Sequence, residues 1–248
     1  MSETKIEVPT PGGAAEAYLY TPSQGSGPWP AAMLLTDIMG VRPAFRQMSQ
    51  RLAEQGYVVL LPNIFHRGAK LPVLDFTPAF GDERTMKRMG ELRSFLSNEQ
   101  MGMDGAAYAD FLLTQPNVAG TKVGVVGYCF TGSMAFRTAA AAASKVAAAA
   151  SFHGGGLCTD QPDSPHLALP KITARLYFGH AIEDRSMPPE AIAKLETALR
   201  DWPGKGESET YAGARHGWCV PGRVEVYNEA QAERAFAKLV ELFDATLR

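Results

Sequence analysis

Apolar residues fall along this chain in short unbroken runs separated by segments with helical spacing. Ala31 to Thr36 and Tyr57 to Leu61 are such runs, of the length expected for strands buried on both faces. Between them Phe45, Met48, Leu52 and Ala53 recur at helical intervals from Pro43 to Gln55, and Gly56 stands where a C-terminal cap belongs, so the segment reads as a β-α-β unit. Before it, Ile6 to Val8 and Ala14 to Tyr20 alternate about Pro9, Pro11, Gly12 and Gly13, which predicts an antiparallel hairpin at a sheet edge. Asn63 to Gly81 holds no period and is expected to be a long surface loop. Helices are predicted over Asp82 to Phe95, Met103 to Leu113, Pro188 to Leu199 and Val224 to Leu247. Strands are predicted at Val146 to Phe152, Ile172 to Phe178 and Glu207 to Ala212. Alternating strands and helices after a hairpin imply an α/β fold: a mainly parallel central sheet with helices on both faces, in one domain spanning residues 1–248.

The stretch with most chemical content is Thr121 to Gly132. Val123, Val125 and Val126 form a β-branched run, Gly127-Tyr128-Cys129-Phe130 follows at once, and a small-residue helical series opens at Gly132. A strand entering a tight turn and then a helix would hold Cys129 clear of the sheet edge, beside backbone N–H groups able to stabilise a thiolate or an oxyanion. The competing reading is a buried structural cysteine. Thr131 stands where the usual elbow sequence has glycine. His153-Gly-Gly-Gly156 resembles the oxyanion loop of lipases, but it follows the cysteine instead of preceding it, and is read as a tight strand-end loop.

Composition removes several function classes. The 24 basic and 26 acidic residues give a net charge of −2, which offers no charged surface for nucleic acid or a membrane. No run reaches the roughly 18 apolar residues of a membrane span, and the N-terminus lacks a signal-peptide core, so a cytoplasmic protein is expected. Cys129, Cys158 and Cys219 are three in number with no C-x-x-C spacing, which argues against a disulfide framework or a zinc ribbon. Neither metal nor cofactor is expected.

Two later loops decide between the readings of Cys129. Gly179 to Pro188 follows a predicted strand and carries Glu183 and Asp184; Tyr211 to Trp218 follows the last strand and carries His216. Nucleophile, acid and base then come in the chain order of an α/β-hydrolase triad, each after a strand.

These residues resemble the dienelactone hydrolase family. The resemblance rests on Thr36-Asp-Ile-Met-Gly-Val41, Gly127-Tyr-Cys-Phe-Thr-Gly132, Ser151-Phe-His-Gly-Gly-Gly156, Asp184-x-x-Met-Pro188 and Gly213-Ala-Arg-His-Gly-Trp218. It implies an α/β-hydrolase fold and a Cys129, His216, Asp184 triad, with the Asp-x-x-apolar-Pro spacing selecting Asp184 over Glu183. It further implies an oxyanion hole from the N–H groups of Ile38 and Phe130, an acid (Asp37) in contact with the resting thiol, and a lactone or activated ester as substrate. Two arginines hold the substrate carboxylate in close relatives. Arg84 or Arg88 is the candidate for the first, while Val220 falls near the second position and Arg223 only later. With that second position in doubt, and with Trp218, Phe130, Tyr128 and His153 suggesting an aromatic pocket, a neutral substrate is expected to be preferred. The alternative is a catalytically silent binding module or thiol sensor on the same fold.

Overall fold

The computed structural model describes residues 1–79 and 81–248, and one eight-stranded sheet runs through it in the order β1-β2-β4-β3-β5-β6-β7-β8. The hairpin β1 (Ser2–Thr10) and β2 (Gly13–Thr21) pairs antiparallel and adds antiparallel to β4 (Val58–Pro62). Every other neighbouring pair is parallel: β3 (Trp29–Leu35), β5 (Val118–Tyr128), β6 (Val146–Phe152), β7 (Arg175–Glu183) and β8 (Gly206–Arg215).

The unbroken apolar runs are explained by two cores, one on each face of the sheet. In β3, Ala31, Met33 and Leu35 enter one core while Ala32 and Leu34 enter the other; in β4, Val58 and Leu60 oppose Val59 and Leu61 in the same way. Helices α3 (Asn98–Leu113) and α4 (Gly132–Ala141) cover the first face, and α1 (Pro43–Glu54) and α6 (Glu229–Leu247) the second. α2 (Glu83–Ser94) and α5 (Pro189–Asp201) complete the helices. Close approach is bought with glycine at two points: a Cβ on Gly105 of α3 would stand 1.8 Å from Thr138 Oγ1 of α4, and one on Gly124 of β5 would stand 2.7 Å from the Phe243 ring of α6.

Several boundaries differ from the sequence reading. α3 begins at Asn98 instead of Met103, because Ser97 Oγ accepts from Gln100 N–H at 3.2 Å while Gln100 Oε1 accepts from Ser97 N–H at 2.8 Å. α6 begins at Glu229 instead of Val224. Asn228 caps it by accepting from Gln231 N–H at 3.2 Å, and Val224 is exposed in the preceding turn. β7 and β8 run to Glu183 and Arg215, so Asp184 and His216 each sit on the first residue beyond a strand end. The Asn63–Gly81 segment carries no strand or helix among its described residues.

Candidate active site

The turn after β5 has the strain expected of an elbow. Cys129 has φ of 56°, a left-handed conformation that costs a side-chain-bearing residue about 1–3 kcal/mol, and it opens a single 3-10 turn, Cys129–Thr131, that runs into α4. Gly127 is required for this geometry, since a Cβ there would lie 2.0 Å from Thr131 O. Gly132 lets the start of α4 rest on the β6 loop, where a Cβ would meet Ser151 Oγ at 2.3 Å and Gly154 Cα at 2.6 Å. Thr131 is itself part of the brace: its buried hydroxyl accepts from Tyr128 N–H at 2.9 Å and donates to Leu35 O at 3.0 Å, tying the turn to β3.

The strand ends bring Cys129, His216 and Asp184 together. His216 Nδ1 lies 2.6 Å from Asp184 Oδ2, and Asp184 Oδ1 accepts from the N–H and hydroxyl of Ser186 at 2.8 and 2.6 Å. Burial by itself would lower the His216 pKa, but the Asp184 carboxylate and the Cys129 sulfur together raise it to about 10. Burial likewise opposes ionisation of Asp184, and its bonds to His216 and Ser186 outweigh it, so the carboxyl is held below its ordinary value. Glu183 points elsewhere, exposed and 3.7 Å from Arg215. The acid that meets the histidine is Asp184.

A cavity of about 480 Å³ opens over Cys129 and His216. Ile38 and Phe130 line it, and Phe130 is the second residue of the 3-10 turn, where an N–H has no partner within the turn. Gly155 and Gly156 form another part of the wall, held by Gly155 N–H to Cys129 O at 3.4 Å and Gly156 N–H to Ser186 O at 2.9 Å. The His-Gly-Gly-Gly segment is thus a strand-end loop that also borders the site.

Five residues lie elsewhere than the sequence reading put them. Asp37 was expected against the thiol, yet both its oxygens are taken by Arg42, at 2.6 and 2.7 Å, and Oδ1 also accepts from Met39 N–H at 3.0 Å. An aspartate this short is satisfied by the arginine five residues on. Arg84 is exposed, pairs with Asp75 at 3.0 Å and stacks on Phe76, and Arg88 bonds Glu91 and Val73 O; neither lines the cavity. Trp218 is fully buried behind the site against Tyr211 and His153. His153 is 1% exposed and stacks edge-on to His216, with ring centroids 5.0 Å apart, so it backs the histidine instead of facing substrate. Burial first, then the neighbouring His216 and Arg223, push its pKa well below the ordinary value.

The arginines that do line the cavity are Arg93 and Arg137. Arg93, just past the reach of the sequence candidates, lies over the Phe130 ring at 5.1 Å; Arg137, on α4, donates to Asp163 O at 2.7 Å. Arg223 is close enough for its charge to act with Asp37 and Cys129. Sequence reasoning missed Arg93 and Arg137 because no motif marks which face of α2 or α4 turns toward the cavity.

The sequence profile of the dienelactone hydrolase family matches residues 15–247, almost the whole chain. The chain belongs to the dienelactone hydrolase family. A carboxymethylenebutenolidase of Rhodococcus opacus is 30% identical to it, over 96% of this chain and 89% of the relative. A protein of Synechocystis provisionally named a carboxymethylenebutenolidase is also 30% identical, over 99% of this chain and 97% of its own length. The α/β-hydrolase fold is matched by a crystal structure from Klebsiella pneumoniae provisionally named a dienelactone hydrolase, with a TM-score of 0.85 and 21% identity over 98% of each chain. No helix among the described residues is long and apolar enough to cross a membrane.

Proposed function

We propose that this member of the dienelactone hydrolase family hydrolyses a lactone or activated ester through a cysteine acyl-enzyme. The observation that carries the reading is His216 held between Asp184, at 2.6 Å, and the Cys129 sulfur, on the floor of a cavity large enough for a small substrate. With Nδ1 committed to Asp184, Nε2 is the nitrogen left to act on the sulfur. The Cys129 proton passes to His216 and the sulfur attacks the carbonyl carbon; the resulting oxyanion is received by the N–H groups of Ile38 and Phe130. The C–O bond then breaks, and His216 returns the proton to the leaving oxygen, which in a lactone stays on the same chain. A water, deprotonated by His216, attacks the thioester carbonyl and expels the Cys129 sulfur, which takes the proton back from His216, giving the acid and the free enzyme. A thiolate is itself readily expelled, so substrates with weakly basic leaving groups such as enol lactones suit it best.

Rapid quenching during turnover tests the covalent step. Intact-mass measurement is expected to find one acyl group on the protein and to locate it on the Cys129 peptide; a modification elsewhere, or none under conditions of steady turnover, would reject it.

Arg93 and Arg137 shift the substrate reading from a neutral compound to an acidic one. Two guanidinium groups on the cavity wall suit a carboxylate distal to the reacting carbonyl, as a charge-assisted pair. kcat/KM for a carboxylate-bearing lactone is expected to exceed that for a neutral analogue of equal size. It should fall by roughly 10-fold or more in Arg93→Ala or Arg137→Ala, with the neutral analogue little changed. Equal losses on both substrates would mean that the arginines only hold the wall.

Asp37 serves this reading as a positioning residue. Its bonds to Arg42 and to Met39 N–H fix the loop that presents Ile38 N–H. Asp37→Ala is therefore expected to lower kcat and to destabilise the fold by about 3 kcal/mol through the orphaned, mostly buried Arg42. Alkylation of Cys129 by iodoacetamide should stay within a few-fold of wild type, and a large acceleration would instead show that Asp37 restrains the thiol directly.

A further inference from the structure

His153 has no part in the hydrolytic steps, yet it is the most anomalous polar group near them. The ring is 1% exposed, and among the described residues neither ring nitrogen has a hydrogen-bond partner on any residue other than His153 itself. Buried imidazoles are ordinarily satisfied, and this one is confined by Tyr128, Trp218 and His216, with centroids 6.0, 5.3 and 5.0 Å away. One of its nitrogens joins the Cys129 sulfur and a His216 nitrogen in a group whose ligand atoms all lie within 4.8 Å of one another.

We infer that Cys129 Sγ, His216 Nε2 and a His153 ring nitrogen form a binding site for a soft or borderline divalent cation, with Zn²⁺ the best match, and that its occupation reversibly blocks the nucleophile. One sulfur and two imidazole nitrogens suit zinc and its heavier analogue cadmium, and suit the oxygen-seeking Mg²⁺ and Ca²⁺ poorly. The outer shell is already built: Asp184 holds Nδ1 of His216, the carboxylate–histidine–metal arrangement that orients an imidazole ligand and strengthens it as a donor. Bond lengths of about 2.3 Å to sulfur and about 2.0–2.1 Å to nitrogen put tetrahedral donors roughly 3.3–3.6 Å apart, so a separation at the 4.8 Å limit closes by about 1.2–1.5 Å. His216, on a loop beyond β8, can supply that adjustment while His153 stays fixed. The fourth position faces the cavity and would take water. Binding releases to solvent the proton that Cys129 and His216 otherwise exchange, and commits the sulfur lone pair to the metal, so attack on a carbonyl stops until the cation is removed.

The sequence reading expected no metal, since Cys129, Cys158 and Cys219 show no C-x-x-C spacing. The inference does not depend on the hydrolytic reading, because its primary test is binding itself. The protein, stripped with chelator, is titrated with Co²⁺ and then with Zn²⁺ against a chromophoric chelator. One equivalent is expected, giving sulfur-to-cobalt charge-transfer absorption and the intense visible bands of a tetrahedral site. Zinc X-ray absorption should show one sulfur and two imidazole nitrogens. His153→Asn should weaken Zn²⁺ binding by more than the roughly 10–100-fold that loss of an outer-shell partner costs, while added Zn²⁺ should arrest ester hydrolysis by wild type and EDTA restore it. An affinity unchanged in His153→Asn, or a donor set with fewer than two nitrogens, would overturn the site. The absorption measurement decides it even if the variant fails to fold.

Discussion

Cys129→Ala is expected to lower kcat for an activated ester such as p-nitrophenyl acetate by about 10⁴-fold or more, to near the uncatalysed background. The size of the effect follows from the lack of a substitute nucleophile. Ser133, Ser164 and Ser186 also line the cavity, but their hydroxyls are engaged with Phe130 O, with the His166 ring and with Asp184. Among the described residues none of the three is bonded to His216. Circular dichroism and thermal melting should match wild type, because the strain at φ of 56° is similar for alanine and cysteine. The competing view, a thiol sensor on a retired hydrolase fold, makes the opposite forecast: wild type and Cys129→Ala would hydrolyse the ester at the same slow rate, and peroxide would modify wild type alone.

How much of this was legible beforehand depended on whether local chemistry or packing carried the signal. The elbow was legible because it is local: a β-branched strand, a glycine whose Cβ would strike Thr131 O, and a residue of small-helix sequence directly after. That Asp184 and not Glu183 meets His216 was legible for the same reason, since the following Met187 is buried and its N–H bonds back to Asp184 O at 3.3 Å, fixing the loop in a way its sequence spacing records. The parallel sheet was legible from β3 and β4, whose every residue faces one core or the other.

Residues set by packing were not. Arg84 and Arg88 were the natural candidates on α2, but at 3.6 residues per turn Arg93 is rotated about 140° from Arg88, and only the seating of α2 against Phe130 shows that Arg93 is the residue turned to the cavity. Trp218 and His153 read as pocket aromatics, whereas the tight packing of Tyr211, Phe152 and Tyr128 draws them behind the site. Asp37 was misplaced by analogy: the sequence holds Arg42 five residues on, and a bidentate partner that near satisfies a short carboxylate before the thiol can.

Asp184→Asn is expected to lower kcat by roughly 10²-fold or more, while Glu183→Gln leaves it close to wild type. The asparagine would be nearly isosteric, and its Oδ1 could keep the two bonds from Ser186. Its amide N–H₂ would then face His216 Nδ1 where Asp184 Oδ2 now sits at 2.6 Å, and a donor there makes Nδ1 the acceptor and leaves the proton on Nε2. A ring in that tautomer cannot take the proton of Cys129. Removing the carboxylate also withdraws the Asp184 contact that helps raise the His216 pKa to about 10. Glu183 has no such lever, being exposed and 3.7 Å from Arg215. Steady-state kinetics of the two variants, with circular dichroism to establish that each is folded, decides the matter. A large loss in Glu183→Gln with Asp184→Asn unharmed would assign the acid to the other carboxylate and reject the proton path drawn through His216.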